Sequence, residues 1–307
     1  MRAASGSASG PHVFSSNPLD RVGGSRGDEA WLRSRIDDPR GRYLPFRELK
    51  PGVRADEGVR LGWLDRETVG PLAAHPETVL LGVLDDVPHF ALHADGVEAA
   101  AFDALEYRDA RGVAMDLAAT EAGMLAQGRS MLEWHATNRF CPQCGSATTP
   151  IEGGARRLCA GCAARSYPRV SPSMIVLVER EDRCLLARRR NGPPNRFSCL
   201  AGYLETGESI EDAVVREVFE ESGVRVDEVR YHSSQPWPFP ATLMIGCFAQ
   251  ATAWDIQVDG TEIAEARWVT RDEARRALEG TNPDLAVPDR IAIAHHLIRA
   301  WIDEGDA

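Results

Sequence analysis

Three glutamates in the C-terminal half of the chain have the spacing of a cation site. Glu217, Glu220 and Glu221 stand at positions i, i+3 and i+4, which share one face of a helix. Such like charges repel by roughly a few tenths of a kcal/mol per pair, a cost most easily tolerated where cations lie between them. Carboxylate oxygens bind Mg²⁺ and Mn²⁺, and Mg²⁺ commonly bridges carboxylates and substrate phosphates. The pattern predicts metal-assisted phosphate chemistry, and the alternative is a solvated acidic helix.

The residues around the glutamates predict how their helix begins and ends. A glycine-rich loop leads into Ser209, which with Asp212 forms a plausible capping pair. Gly223 is typical of a helix C-terminus. We expect Arg216 to pair with Glu208 or with a helix glutamate. The predicted apolar face of the helix consists of Ala213, Val214, Val218 and Phe219.

The stretch from 202 to 224 resembles the Nudix box, the signature of the Nudix hydrolases, at every specified position: GYLETGESIEDAVVREVFEESGV. The resemblance implies that water attacks a phosphorus of a diphosphate bridge while Mg²⁺ or Mn²⁺ ions are held by the box. The implied catalytic residues are Glu217, Glu220 and Glu221. The implied Mg²⁺ or Mn²⁺ ligands are Ala201, through its carbonyl, Glu217, Glu221 and Glu262. Glu262 takes the family position when Ala266 and Trp268 are aligned, although Glu262 and Glu265 are also open to interpretation as surface charges.

A second motif, SQPWPFP, occupies positions 234–240. Its three prolines cannot donate to a sheet ladder, which predicts a stiff, extended loop, and composition alone would favour a turn with buried aromatics. The motif resembles the hallmark of the NADH pyrophosphatase (NudC-type) subfamily, in which a serine stands where this chain has Thr242. The resemblance implies NADH or NAD as a dinucleotide substrate, hydrolysed to (reduced) nicotinamide mononucleotide and AMP, and allows NAD-cap removal from RNA. The implied substrate-binding residues are Tyr167, Tyr203, Gln235, Pro236, Trp237, Pro238, Phe239, Pro240, Ala241 and Thr242.

Four cysteines form two CxxC pairs that are separated by fourteen residues. This spacing is typical of a zinc ribbon with a closed tetrahedral structural site. Disulfides and redox pairs are the alternatives, and they are disfavoured in a chain where we see no secretory signal. In the NudC-type family such a ribbon directly precedes the Nudix domain. The predicted zinc ligands are Cys141, Cys144, Cys159 and Cys162.

The elements that must position these motifs follow from apolar runs. We expect disorder over residues 1–28, an N-terminal domain over 29–136, the ribbon over 138–168 and the Nudix domain over 169–307. In the N-terminal domain, runs at 78–84 and 89–92 predict strands and 115–134 predicts a helix. In the Nudix domain we predict strands at 174–178, 184–187, 243–250 and 266–269, and helices at 271–278 and 289–302. The expected class is α/β (α+β), with a mixed β-sheet between helices as in the Nudix fold.

Composition limits the partners and the compartment. The 307-residue chain carries a net charge of -11, which argues against a general nucleic-acid-binding surface. No run is long and apolar enough for a membrane span. Seven cysteines, four of them in the predicted metal site, fit a reducing compartment, and we expect the cytoplasm. The three remaining cysteines lie in apolar runs and are expected in the core. The family resemblance implies a homodimer.

Two alternatives to an NAD(H) diphosphatase remain open on the sequence. One is a Nudix pyrophosphatase of another nucleoside diphosphate, such as ADP-ribose, against which the SQPWPFP motif argues. The other is a non-catalytic zinc-ribbon binding module, against which the intact set of glutamates argues.

Overall fold

The computed structural model describes residues 12–258 and 260–305. The contacts within the chain divide it into two compact units. The N-terminal unit contains residues 13–170 together with 237–241, and the C-terminal unit contains His12 and the rest of the described chain. None of the helices among the described residues combines the length and apolar character needed to cross a membrane.

The N-terminal unit is built on a mixed sheet. Its elements are α1 (Glu29–Ile36), β1 (Arg42–Arg47), β2 (Lys50–Arg54), β3 (Arg60–Leu61), β4 (Leu64–Asp65), α2 (Arg66–Val69), a 3-10 turn (Gly70–Ala74), β5 (Val79–Leu84), β6 (Val87–His93), α3 (Ala100–Asp103), β7 (Glu106–Tyr107), α4 (Ala110–Val113) and α5 (Ala119–Thr137). The strand order is β3-β2-β1-β6-β5, with β4 beside β1 and β7 beside β2, and helix α5 packs on β5 and β6.

The predicted strands at 78–84 and 89–92 are confirmed as β5 and β6, whereas the predicted helix at 115–134 begins only at Ala119.

Part of the segment predicted to be disordered is packed instead. Phe14 and Leu19 are buried, and the backbones of Asp20 and Val83 exchange two hydrogen bonds of 2.9 Å. The Ser- and Gly-rich composition of this segment suggested disorder, although the segment contains two apolar side chains that become buried. Their burial stabilises an ordered backbone along the edge of the sheet. The prediction of disorder was therefore wrong for residues 12–28, and residues 1–11 lie outside the described chain.

The ribbon belongs to the N-terminal unit. Its strands β8 (Thr148–Ile151), β9 (Arg156–Cys159) and β10 (Arg165–Ser166) form an antiparallel sheet in the order β10-β9-β8. Arg157 is 2% exposed and donates to the Thr148 hydroxyl and to Nδ1 of His135 on α5, and it pairs with Glu77 at 3.3 Å. Because a buried guanidinium needs its donors satisfied, this network fixes the ribbon against the rest of the unit.

The C-terminal unit is built on a second mixed sheet. Its elements are β11 (Ser171–Arg180), β12 (Arg183–Arg189), β13 (Leu200–Tyr203), α6 (Ile210–Ser222), β14 (Val226–Trp237), β15 (Thr242–Ala251), β16 (Ile263–Thr270), α7 (Arg271–Leu278) and α8 (Ile293–Gly305). The strand order is β14-β15-β11-β12-β16, with β13 paired to β11. The strands and helices predicted for this domain are all present, and the helix predicted at 289–302 begins later, at Ile293.

Strand β11 shows how the sheet is covered on both faces. Met174, Val176 and Val178 belong to the apolar cluster that contains the buried residues of α6. Ile175 and Leu177 point the opposite way, into the cluster formed with α7 and α8. Since side chains alternate along a strand, one helix layer lies on each face, as the expected mixed sheet between helices requires.

The SQPWPFP motif is only partly a loop, because β14 continues to Trp237. This strand is at the edge of the sheet, where a proline removes no ladder hydrogen bond on its outer side. The prediction that Pro236 lies outside a strand was therefore wrong.

Candidate active site

Glu217, Glu220 and Glu221 lie on α6, a short helix that is capped at both ends. Ser209 and Asp212 form a reciprocal capping box, and Gly223 ends the helix in the left-handed conformation with φ 70°. Ala213, Val214 and Val218 are buried as predicted. The prediction was wrong for Phe219, which is 46% exposed with the Arg225 guanidinium 4.8 Å from its ring centre.

Arg216 organises the carboxylates around the start of the site. Its Nη1 lies 2.9 Å from Glu217 and 3.0 Å from Glu220, and its Nη2 donates to Glu208 at 2.9 Å and to the Tyr203 carbonyl at 3.0 Å. The hydrogen bonds from this guanidinium lower the pKa of Glu208 to about 2. The fork confirms the predicted pairing and joins α6 to the loop before it, because a guanidinium offers several donors in a fixed geometry.

Gly202 in β13 lies directly beneath the carboxylate of Glu217. A Cβ atom added at this position would overlap Cδ and both carboxylate oxygens of Glu217. Since atoms cannot occupy that space together, the glycine of the box is required for the side chain to lie over the strand.

We expect Gly202→Ala to displace the Glu217 carboxylate and lower kcat by about tenfold or more, since small misplacements of catalytic groups have effects of this size. The measurement is a double-mutant cycle with Glu217→Gln. If the alanine acts through Glu217, it lowers kcat far less in the Glu217→Gln background. Equal losses in both backgrounds would show that Gly202 acts elsewhere.

Glu221 is a buried carboxyl that lacks a full set of partners. Its side chain is 5% exposed, and Oε2 has no hydrogen-bond partner among the described residues. Burial, followed by the neighbouring charge of Glu217, raises its pKa to about 7, while Arg189 opposes the shift and Glu262 adds to it. A buried carboxylate facing other carboxylates is the arrangement that a bound cation stabilises.

The acidic residues therefore fit a divalent cation, with Glu217, Glu221 and Glu262 sharing one region. Within the described chain, the four cysteines are the only group of three or more ligand side chains whose ligand atoms are close enough to share one ion. The carboxylates of these glutamates are therefore neighbours, but their oxygens do not yet surround a common point. Glu265, the alternative to Glu262, is 3.4 Å from Arg188 in an ion pair instead. The backbone of Ala201 lowers the pKa of Glu221, so this predicted ligand lies in the same region.

The four predicted zinc ligands converge in the ribbon. Their Sγ atoms all lie within 4.8 Å of one another, with 3.7 Å between Cys141 and Cys162 and 3.4 Å between Cys144 and Cys159. Tetrahedral zinc–thiolate bonds place sulfur atoms about 3.8 Å apart, so the cluster fits one zinc ion. The cysteines are free thiols rather than disulfides. The remaining cysteines are buried in apolar clusters, as predicted: Cys184, Cys199 and Cys247.

Gln235 is fully buried in the C-terminal unit, and its amide is used at both ends. Nε2 donates to the Ile291 carbonyl at 2.7 Å, and Oε1 accepts from the Ile293 N–H at 2.8 Å. The side chain thereby fixes the backbone that starts α8. This gives Gln235 a positioning role, and its predicted direct contact with substrate stays a prediction.

We expect Gln235→Ala to lower the free energy of unfolding by about 1–3 kcal/mol, because it leaves a buried donor and a buried acceptor unsatisfied. Urea denaturation measures this loss. Gln235→Glu serves as the matched variant, since it keeps the acceptor for Ile293 and loses the donor to Ile291. An alanine variant as stable as the wild type would contradict this role.

The remaining predicted substrate residues divide between the two units. In the C-terminal unit, Tyr203 is 57% exposed and its hydroxyl lies 3.3 Å from Oγ1 of the buried Thr242. In the N-terminal unit, Tyr167 is 45% exposed with the Arg156 guanidinium 5.0 Å from its ring centre. Residues 237–241 also belong to that unit. The structure thus brings Tyr203 and Thr242 together and leaves the substrate-binding assignment a prediction.

Arg189 is a site residue that the sequence analysis did not identify. It ends β12, and its charge lowers the pKa of Glu221. The run of three arginines at 188–190 was a visible signal, but only the pairing of β12 with β16 brings it beside the acidic residues.

Three family models cover most of the chain in consecutive segments. Residues 40–134 match the NADH pyrophosphatase-like rudimentary NUDIX domain, 136–167 match the NADH pyrophosphatase zinc ribbon domain, and 168–289 match the NUDIX domain.

Relatives that match most of the chain agree with these family models. The chain is 38% identical to the NAD-capped RNA hydrolase NUDT12 of Homo sapiens, over 95% of this chain and 73% of that protein. It is 31% identical to the NAD-capped RNA hydrolase of Schizosaccharomyces pombe, over 94% and 92% of the two chains. It is 37% identical to the NAD-capped RNA hydrolase NudC of Mycobacterium bovis, over 74% and 75%. With its box, its four-cysteine ribbon and its rudimentary N-terminal domain, the chain belongs to the NADH pyrophosphatase-type Nudix hydrolases.

Proposed function

We propose that this protein hydrolyses the diphosphate bond of NADH and NAD, giving (reduced) nicotinamide mononucleotide and AMP. The observation that carries the proposal is the buried carboxyl oxygen of Glu221, which has no hydrogen-bond partner in the described part of the chain and lies among acidic residues of an intact Nudix box. The printed activities of relatives, NAD-capped RNA hydrolase and NAD(P)H pyrophosphatase, support a nicotinamide dinucleotide as the substrate.

In this proposal Glu217, Glu221, Glu262 and the Ala201 carbonyl hold Mg²⁺ or Mn²⁺. When bound, a divalent cation neutralises phosphate charge and lowers the pKa of a bound water. Arg216 keeps Glu217 in place over Gly202, and burial keeps Glu221 out of bulk water. Glu220, with a side chain 58% exposed, stays accessible to solvent for proton transfer from the attacking water.

The exposed ring of Tyr203 is the proposed stacking surface for a base or for nicotinamide. Tyr203 is the second residue of the box, and the contact of its hydroxyl with Thr242 limits the rotation of the ring. The methyl group that distinguishes threonine from serine leaves this hydroxyl contact intact. The same bond cleaved in NAD at the 5′ end of an RNA would remove the cap, so cap removal needs no second chemistry.

The test is a substrate panel with Mg²⁺ or Mn²⁺: kcat/KM for NADH, NAD and ADP-ribose, and decapping of an RNA that begins with NAD. We expect NADH or NAD to exceed ADP-ribose by at least about tenfold, because ADP-ribose lacks the nicotinamide ring that a built site would contact. A preference for ADP-ribose would favour the alternative pyrophosphatase. No turnover of any of these substrates would favour the binding-module alternative.

The homodimer and the cytoplasmic location stay predictions. Relatives include proteins named as mitochondrial and chloroplastic, so the compartment differs within the family. Gel filtration with light scattering tests the dimer directly.

A further inference from the structure

Residues 237–241, which include the second half of the SQPWPFP motif, are held by the N-terminal unit rather than by the sheet of the C-terminal unit. Residues 237–241 group with that unit, although the strands on either side, β14 and β15, belong to the C-terminal unit. The sequence motif was interpreted as one substrate-binding element, and the structure separates it into parts with different neighbours.

The two aromatic rings of the motif are engaged by protein. Trp237 and Phe239 lie edge to face with centroids 5.4 Å apart, and the buried Phe14 lies 6.0 and 6.1 Å from them. The Arg111 guanidinium is 5.2 Å from the Trp237 ring centre, and that of Arg129 is 4.6 Å from the Phe239 ring centre. Aromatic and cation–π contacts of this kind fix the orientation of both rings.

Helix α5 holds the backbone of the same segment through two adjacent residues. Arg129 donates to the Pro238 carbonyl and pairs with Glu133 at 2.5 Å. The Ser130 hydroxyl donates to the Pro240 carbonyl at 2.9 Å. Pro238 and Pro240 have no N–H, so the carbonyl is the one backbone polar group that each offers, and two adjacent residues of α5 bind both carbonyls.

Both ends of the segment continue into residues that are fixed in the C-terminal unit. On one side Gln235 binds the backbone that starts α8, and on the other Thr242 contacts the exposed Tyr203. Along the chain, residues 237–241 are joined to Gln235 through Pro236 and directly to Thr242.

We infer that Arg129 and Ser130 are positioning residues for dinucleotide recognition, acting through the Pro238 and Pro240 carbonyls. The inference rests on the proposed function, because it concerns how NADH is selected over a diphosphate without a nicotinamide ring. Nothing in it requires Arg129 or Ser130 to touch the substrate.

The experiment compares Arg129→Ala and Ser130→Ala with the wild type. We expect KM for NADH to rise about tenfold for Arg129→Ala and about two- to fivefold for Ser130→Ala, from the loss of a charged and a neutral hydrogen bond respectively. In both variants kcat for NADH, and KM for ADP-ribose, should change less than about twofold. Arg129→Lys keeps the charge and a donor group but loses the fixed fork of the guanidinium, so it should restore part of the NADH affinity.

Arg33→Ala is the matched control. Arg33 also lies on a helix of the N-terminal unit and pairs with an acid four residues on, Asp37, but its side chain is 74% exposed. The loss of Arg33 should leave KM and kcat unchanged for both NADH and ADP-ribose. Ser130→Ala removes one hydroxyl from a helix and favours helix formation, so it keeps the test valid if Arg129→Ala folds poorly.

Hydrogen–deuterium exchange separates this inference from the proposed function. Peptides covering residues 236–243 should exchange faster in Arg129→Ala and Ser130→Ala, and not in Arg33→Ala. Unchanged exchange, or an equal rise in KM for NADH and ADP-ribose, would overturn the positioning role. A wild type that does not hydrolyse NADH would instead overturn the proposed function, while exchange would still report how the segment is held.

Discussion

Glu221→Gln is expected to lower kcat for NADH by about 100- to 10,000-fold, because a general base or a metal-bound charge contributes effects of this size. The amide keeps the shape of the side chain and removes only the charge that a cation requires. Steady-state kinetics at saturating Mg²⁺ or Mn²⁺ measures the loss.

The matched control is Glu265→Gln, which removes an acid of β16 three residues after the predicted metal ligand Glu262. Glu265 pairs with Arg188 at 3.4 Å rather than facing Glu221, so its loss should change kcat by only a few-fold. Near-normal turnover of Glu221→Gln, or equal losses in both variants, would contradict the assignment of Glu221.

Glu221→Gln should also change how the free energy of unfolding depends on pH. Folding raises the pKa of Glu221 from 4.5 to about 7, so the folded state binds the proton more tightly and the free energy of unfolding falls as pH rises through this window. Between pH 5 and 8, without added divalent cation, the wild type should lose roughly 2–3 kcal/mol more than Glu221→Gln. Parallel unfolding curves for the two proteins across this range would show that Glu221 ionises normally.

Removal of one ribbon cysteine is the second change with a large expected effect. Structural zinc contributes on the order of 10 kcal/mol of apparent binding free energy in small zinc domains, so Cys159→Ser should lower the stability of the N-terminal unit by several kcal/mol. Zinc per chain should fall well below one. A closed site of four thiolates leaves no position for a catalytic water, so kcat per folded molecule should change little.

Cys247→Ala is the control for the loss of a thiol. Cys247 is buried in the apolar cluster beside α6, and its removal should leave zinc binding intact. Wild-type protein purified without chelator and found free of zinc would contradict the ribbon assignment. So would a Cys159→Ser variant that keeps its stability and loses only turnover.

The sequence was most informative where local chemistry decides the structure. The Ser209–Asp212 capping box, the left-handed Gly223 and the Arg216 fork follow from residue types at short spacing, and each is present. The four cysteines converge as their spacing predicts. Phe219 is the local exception, because apolar character at a helical position does not reveal which side of a helix the sheet covers.

Features that depend on contacts distant in sequence were missed. The burial of Phe14 depends on Trp237 and Phe239, and the role of Arg189 depends on the pairing of β12 with β16. The sequence analysis gave Gln235 a substrate contact, which stays a prediction, and did not identify its structural role. The amide of Gln235 binds the backbone at Ile291 and Ile293, 56 and 58 residues further along the chain. Periodicity and motif spacing carry no information on partners at this distance.

The most direct measurement of the central claim is the identity of the products formed from NADH with Mg²⁺ or Mn²⁺. Chromatography should show reduced nicotinamide mononucleotide and AMP in equal amounts, since hydrolysis of the diphosphate bond releases one of each. The reaction should be slower by about 100- to 10,000-fold in Glu221→Gln. Release of free dihydronicotinamide with ADP-ribose, or no conversion of NADH by the folded, zinc-loaded protein, would contradict the account.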